Sequence, residues 1–504
     1  MNLHSMLQTR ASENRPVTVG LIGAGKFGSM FLAQARLTAG LQVAAVADLS
    51  PDRARASLKR TFWPAEQYEA RSIEEALKTG KTHITDDTMA MISSPGIEVI
   101  VDATGHPAAG IRHVLECCKQ GKHIVMVNVE ADALAGPALA EEARKAGIVY
   151  SLAYGDQPAL IAEMVDWARA AGFEVVAAGK GTKYLPAYHQ STPQTVWEHF
   201  GFTEDQLAKG DFNPQMFNSF VDGTKSGIEM AAVANACGLT PPSDGLLFPP
   251  AGVDSLHDVL RPKAKGGVLE GEGMVEVVSS LNRDGSDVFR DLRWGVYVVF
   301  KGANQYVHDC FAQYGLLTDA SGVYTSMYKP FHLIGLELGI SVANAALRKE
   351  PTGQPRAFRG DVVATSKRDL APGEVLDGEG GYTVWGKLLP AETSLKLGGV
   401  PIGLAHGIKL TRPVKAGQPV TWADVEAKQD EATTYRRRWN GAMPEVRKRG
   451  RQNKAANLLS PPGFKPGGPG ALAEMSQARR RSCIAGSSNR GVIVRMRGLI
   501  WRWR

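Results

Sequence analysis

Along the first 150 residues, short apolar runs rich in β-branched side chains alternate with stretches whose apolar positions recur every three or four residues. The runs are VTVGLIG, QVAAVAD, EVIVDAT, HIVMVN and IVYSLA. Such alternation predicts an α/β doubly wound parallel sheet with helices on both faces. From 173 onward FEVVAAG, GMVEVVSS and RWGVYVVFKG read as strands separated by loops and by a helix at 222–238, which predicts an α+β domain on a more open sheet. The loop-rich segment 241–272 is long enough to cover a site, and a further helix is expected over 329–348. After EPTGQPRAFRG come two similar phrases, KRDLAPGEVLDG and TRPVKAGQPVTW. Each holds a basic residue, a short apolar strand, a Gly-containing turn and a second apolar strand; repeated hairpins imply a small β-rich module.

Composition refines this division. With 504 residues and 43% apolar content the chain can build two or three domains with their own cores. The formal charge of +7 is an average that conceals a contrast. Residues 431–504 hold 17 Lys and Arg against three Glu, a balance of +14, so the first 430 residues carry −7. The tail is rich in Gly, Pro and Arg without sustained apolar periodicity, which predicts disorder, and a shifted reading frame would give the same composition. Nucleic-acid binding is not expected, because no motif or aromatic platform accompanies the arginines. No run of about 18 apolar residues is present, and MNLHSMLQTRASENRP lacks the pattern of a secretory signal, so a cytoplasmic chain without membrane contact is expected. The five cysteines, Cys117, Cys118, Cys237, Cys310 and Cys483, form no CxxC pair and read as reduced thiols.

GLIGAGKFG places Gly23, Gly25 and Gly28, with Lys26 and Phe27 between the last two, after a strand and at the start of a helix. The glycines allow a tight turn and close approach to a pyrophosphate, which the helix N-terminus then holds. Asp48 ends the second strand, twenty residues beyond Gly28, where an acid binds a ribose 2′-hydroxyl. Together these features predict a Rossmann-type dinucleotide site. Arg53 follows closely and could hold the extra phosphate of NADP, so NADP and NAD both stay open. DATGHP (102–107) and NVEAD (128–132) also follow strands of this sheet, making Thr104, Gly105, His106, Asn128 and Glu130 candidates near the nicotinamide. For His106, capping the next helix is the equal alternative.

VDGTKSGIEMAAVANACGL carries Asp222, Lys225 and Glu229 at steps of three and four on the face of an otherwise apolar helix. Charges leading into a buried helix are costly unless paired, solvated or working, so this stretch is a structural ion pair or part of a site.

The order of parts resembles the homoserine dehydrogenase-like oxidoreductases. NVEAD, AYGDQPAL, GKGTKYLP, DGTKSGIEMAAVANA and HLIGLELGISVA resemble, more specifically, the bacterial 1-deoxy-D-xylulose 5-phosphate reductoisomerase-like group, over about 15–426. The two repeated phrases resemble the R-x-L-x-x-G-x-x-L pattern of SAF domains. Three departures stand out: Val129 follows Asn128 where homoserine dehydrogenases have Asn-Lys, the Asp/Lys pair of their catalytic helix is reversed as Lys225 and Glu229, and the acidic metal-binding cluster of the usual reductoisomerases is not found. The expected organisation is a dinucleotide-binding domain over 15–155, an α+β substrate and dimerisation domain over 156–350, an SAF-like domain over 360–426 and a disordered basic tail over 430–504.

The resemblance implies an NAD(P)-dependent enzyme acting on a small anionic hydroxy or keto compound. Its leading form is a homodimeric reductoisomerase converting 1-deoxy-D-xylulose 5-phosphate to 2-C-methyl-D-erythritol 4-phosphate. A homoserine-type dehydrogenase is the alternative, and a non-catalytic cofactor-sensing or assembly protein the alternative of another class. Lys225 is expected to stabilise the developing alkoxide, with Glu229 or Asp222 as base or as ligand of a divalent ion such as Mg or Mn, whose full ligand set is unknown. Lys183 joins this catalytic set, and Lys180, Thr182, His189, Arg293, Tyr328 and His332 are candidates for binding the anionic substrate.

Overall fold

The computed structural model describes residues 2–203, 205, 207, 213–426 and 428–440. Its first strands are β1 (Val17–Ile22), β2 (Leu41–Ala47), β3 (His83–Thr85), β4 (Val99–Asp102), β5 (His123–Met126) and β6 (Tyr150–Leu152). They form one parallel sheet in the order β3-β2-β1-β4-β5-β6. Central strands are buried throughout, as β4 shows, because helices cover both faces; this is why they read as continuous apolar runs. The connecting helices include α1 (Lys26–Ala35), α2 (Pro51–Arg60), α3 (Pro107–Gln120) and α4 (Val129–Lys145). Their starts are set by capping residues: Ser50 accepts from the Arg53 amide, His106 from Ala109 and Asn128 from Ala131.

After α5 (Gln157–Ala170) the chain builds a second sheet from β7 (Glu174–Thr182), β8 (Met274–Ser279), β9 (Val296–Lys301) and β10 (Tyr324–Lys329), in the order β10-β9-β7-β8. β7 and β8 are parallel and the other pairs antiparallel. Helices α6 (Pro214–Val221) and α7 (Thr224–Cys237) follow β7. The expected helix at 222–238 thus starts two residues later, because Asp222 closes α6 and Gly223 turns the chain at φ 89°. The helix expected over 329–348 is corrected more substantially: Tyr324–Lys329 is the edge strand, and helix begins only at Gly339. Pro330 interrupts helix propagation, and Gly335, at φ +81°, lies against the backbone of Phe27 in α1 where a Cβ would not fit.

The chain then forms β11 (Gly360–Ser366) and β12 (Val384–Pro390), an antiparallel pair packed on α7. Contact is close enough that a Cβ on Gly227 would press on the Gly386 carbonyl. The two repeated phrases do not make separate hairpins; they pair with each other, Leu370 and Val414 exchanging backbone hydrogen bonds. Residues 431–440, counted with the tail by composition, are helical. Arg436 is buried there between the rings of Phe358 and Trp439 and donates to Asp361 Oδ2 at 2.7 Å. The rest of the expected tail, 441–504, lies outside the described residues. Everything described belongs to one compact unit. Among the described residues no helix is long and apolar enough to cross a membrane.

Candidate active site

The carboxyl ends of β1, β2 and β4 open onto a cleft of about 800 Å³, lined among others by Gly23, Gly25, Asp48, Arg53, Thr104 and His106. Gly23 has φ +92°, and a Cβ on Gly28 would collide with the Gly23 carbonyl, so the turn into α1 needs both glycines. Nothing crowds Gly25 at the head of α1, where a phosphate could approach the backbone. Lys26 is exposed beside it, while Phe27 turns into the core. Asp48 accepts from the Ala24 amide at 2.8 Å, the Ser50 amide at 2.9 Å and Arg53 at 2.6 Å. Burial opposes its charge, but the Arg53 and amide contacts prevail and hold its pKa below the usual carboxylate value. Arg53 thus reaches Asp48 from the cleft rim. These residues fit a dinucleotide.

Across the strand-order reversal between β1 and β4, a second group of loops is locked together. Asp102, fully buried, accepts from Thr104 Oγ1 at 2.7 Å and lies 3.0 Å from His113. Asn128 donates to Thr104 Oγ1 and to the His106 carbonyl, each at 3.0 Å. Asn128 therefore fixes the Thr104–Gly105–His106 loop, and His106 takes its capping role. Sequence reasoning missed Asp102 and His113, although an acid at a strand end followed eleven residues later by a histidine in the next helix is a visible signal.

Beyond this loop lies the charged cluster of the site. Lys225, one turn into α7, is ion-paired with Glu130, at the start of α4. Lys180, facing α7 from β7, is ion-paired with Glu229. Asp222 is fully buried and takes Lys367, from the end of β11, at 2.7 Å. The three charges expected on one face therefore do not pair among themselves: each meets a lysine or glutamate from a different part of the chain. Asp156, which heads α5, and Glu379, from the loop before β12, complete the cluster. Burial works against the Lys225 ammonium, yet the carboxylates of Glu130, Glu229, Glu379 and Asp156 hold its pKa above the ordinary lysine value. Desolvation, with Glu229 adding to it, pushes Asp156 up to about 7. Desolvation, with Glu130 adding to it, does the same to Glu379.

The other candidates divide. His332 sits at the edge of the cluster, with its Nε2 3.2 Å from Gln157 and its Nδ1 2.7 Å from the Trp294 carbonyl; burial lowers its pKa. Thr182 ends β7. Lys183 points the other way from Lys180, donating to the His199 carbonyl at 2.5 Å, with its pKa lowered by burial and by the neighbouring Arg293. Arg293 donates to Ser280 at 3.0 Å. His189 is a structural histidine: it stacks on Trp385 at 3.8 Å, lies 3.0 Å from the Tyr184 hydroxyl and 2.7 Å from the Asp222 carbonyl, and burial lowers its pKa to about 4. Tyr328 is exposed on β10. Asp222 and Glu229, the carboxylates expected as metal ligands, are each committed to a lysine. Among the described residues no group of three or more His, Cys, Asp or Glu is placed to hold a metal ion.

Residues 19–152 match the family model of the homoserine dehydrogenase NAD binding domain. Residues 155–338 match that of the catalytic domain of Oxidoreductase DRL. No curated protein matches the chain. Among solved structures, the chain is similar to a probable dehydrogenase from Thermotoga maritima, at 14% identity over 68% of this chain and 90% of that one, with a TM-score of 0.33. A putative NADPH-dependent oxidoreductase from Desulfitobacterium hafniense matches at 11% identity over 67% and 89%, with a TM-score of 0.36. The 1-deoxy-D-xylulose 5-phosphate reductoisomerase from Zymomonas mobilis, in complex with NADPH, matches at 18% identity over 44% and 57%, with a TM-score of 0.29.

Proposed function

Starting from a chain that is an NAD(P)-dependent oxidoreductase, we propose that it interconverts a carbonyl and a hydroxyl on a small anionic substrate, with Lys225 as the cation at the reacting oxygen. One observation carries this reading: the Lys225–Glu130 pair joins α7 to the loop at the carboxyl end of β5, on the side of the strand-order reversal opposite the Asp48 cleft. A dinucleotide spanning that reversal brings its nicotinamide to this pair, and the nicotinamide supplies or accepts the hydride. In the reducing direction Lys225 stabilises the oxygen as negative charge develops and then yields it a proton. Glu130 orients the ammonium. Lys180 and Glu229 form a second, more deeply buried pair beside it and fix the floor of the site. No step needs a metal, whose ligands the described residues do not provide.

Lys183 and Arg293 are the cations we assign to the anionic end of the substrate. Lys183 lies three residues beyond Lys180 on one extended strand, roughly 10 Å away at the usual rise per residue, a span suited to a small sugar phosphate or hydroxy acid. The motif resemblance favours 1-deoxy-D-xylulose 5-phosphate, and with it a cytoplasmic homodimer and an SAF-like C-terminal module. The full chain should be assayed for NADPH and NADH oxidation with that compound, with and without magnesium, and for reduction of NAD(P)+ with homoserine. Turnover of the sugar phosphate supports the reductoisomerase. Turnover of homoserine alone replaces it with the dehydrogenase. Nucleotide binding without turnover of either compound would favour the non-catalytic reading.

A further inference from the structure

The loop before β12, LDGEGGYT, is held against α6 far more tightly than a connecting loop requires. Gln215 donates to the carbonyls of Asp377 at 3.2 Å and Glu379 at 2.9 Å, and Asn218 to that of Gly380 at 2.9 Å. Lys367 reaches the Gly381 carbonyl at 2.7 Å while also pairing with Asp222. Gly380, at φ +67°, lies so close to the Gln215 carbonyl that a Cβ would collide with it. The result is to set one side chain, Glu379, inward. Its carboxylate accepts from Ser219 at 2.5 Å and acts electrostatically on Glu130, Lys225 and Asp222.

We propose that Glu379, supplied by the C-terminal module, is the proton relay that recharges Lys225 after each reduction, a role that rests on Lys225 acting at the reacting oxygen. When Lys225 gives its proton to the alkoxide, the product hydroxyl forms and a neutral amine remains. The Glu379 carboxylic acid then transfers its proton to that amine, restoring the ammonium and leaving a carboxylate, which takes a proton from water. Transfer runs downhill, since the neighbouring carboxylates hold the amine's proton affinity above that of the carboxyl. Asp156 is the competing donor, but it is nearly fully buried and cannot be refilled from solvent, whereas Glu379 is half-buried at the module edge. The groups acting on Glu379 are Ser219 from α6, Asp222 and Lys225 from α7 and its lead-in, and Glu130 from α4; Lys367 and Asp377 belong to its own module.

The test is the pH profile of kcat for the full-length enzyme carrying Glu379→Gln, beside Ser219→Ala. Glu379→Gln preserves shape and the Ser219 contact; it is expected to lower kcat roughly ten- to a hundred-fold, to remove one titration from the profile and to leave NADPH affinity unchanged. Ser219→Ala removes a bond that favours the carboxylate, so the same titration should move to higher pH, a shift that misfolding would not produce. If Glu379→Gln keeps the wild-type kcat and profile, or if Ser219→Ala leaves the titration in place, the relay is refuted. Loss of rate in Lys225→Met with an unaffected Glu379→Gln would sink the relay alone; an active Lys225→Met would sink the parent reading as well.

Discussion

Replacing Lys225 by Met removes the ammonium while keeping most of the volume of its stem. A positioned acid at a developing alkoxide contributes about 10²–10⁴ in rate, or about 2.7–5.4 kcal/mol, so kcat should fall by that factor. Nucleotide affinity should change little, because Gly23, Gly25, Asp48 and Arg53 line a cleft that Lys225 does not enter. Stability is a separate quantity. The side chains of Lys225 and Glu130 are 12% and 10% exposed, and Glu130, once unpaired, can take up a proton. The cost should therefore be about 1–3 kcal/mol, below the ~3–5 of a fully buried pair. Adding Glu130→Gln should restore melting temperature without restoring turnover, which separates structural from chemical loss. Steady-state kinetics, fluorescence titration of NADPH and thermal unfolding measure the three quantities. A Lys225→Met enzyme retaining more than a tenth of wild-type kcat would refute the assignment.

Other outcomes follow from the same geometry. Gly28→Ala forces a Cβ into the Gly23 carbonyl, so NAD(P)H affinity should drop roughly tenfold or more, ~1.4 kcal/mol, in a binding titration. Lys367→Met strands fully buried Asp222 and should cost about 3–5 kcal/mol in denaturant unfolding, most of it recovered in the double variant with Asp222→Asn. A chain ending at 440 should melt near the full-length protein, but one ending at 430 several degrees lower, because it loses Arg436 and leaves Asp361 buried with only Ser394 as side-chain partner. Burial, only partly opposed by the Tyr150 hydroxyl, raises Asp132 to about 7 from an ordinary 3.8. The folded state then binds more protons than the unfolded state between those values, so stability falls as pH rises through that window, by roughly 4 kcal/mol in total. Asp132→Asn should flatten that share of the slope, and parallel melting curves from pH 4 to 8 for the two proteins would contradict it.

The nucleotide half of the molecule is legible because its determinants are local. A strand, three glycines, a helix start and an acid at the next strand end lie within thirty residues, and each is dictated by backbone geometry that no distant contact can supply. Where distant contacts decide, the pattern misleads. The run after Lys329 is apolar at helical spacing, yet its first half is an irregular segment packed on α1, because Pro330 and Gly335 outweigh periodicity. Arg436 stands in a triplet of arginines whose composition signals solvent, and it is nevertheless buried, since Phe358 supplies an aromatic face from eighty residues away.

The catalytic cluster shows the same limit at the level of charge. That α7 carries working or paired charges was readable from the cost of leading ions into an apolar helix; which of the two was not, because every partner is remote in sequence. Glu130 is 95 residues from Lys225, Lys180 is 49 from Glu229, and Lys367 is 145 from Asp222. These separations also explain why the cluster spans three sheets: α4 brings Glu130 from the dinucleotide side, β7 brings Lys180, and the C-terminal module brings Lys367 and Glu379. With four carboxyl groups, Glu130, Asp156, Glu229 and Glu379, around two lysines, Lys180 and Lys225, the cluster is not balanced by full ionisation, and Asp156 and Glu379 titrate near neutrality as a result. An anionic substrate entering such a site meets carboxyl groups able to stay protonated, so the excess of acids serves as a store of protons and does not bar an anion.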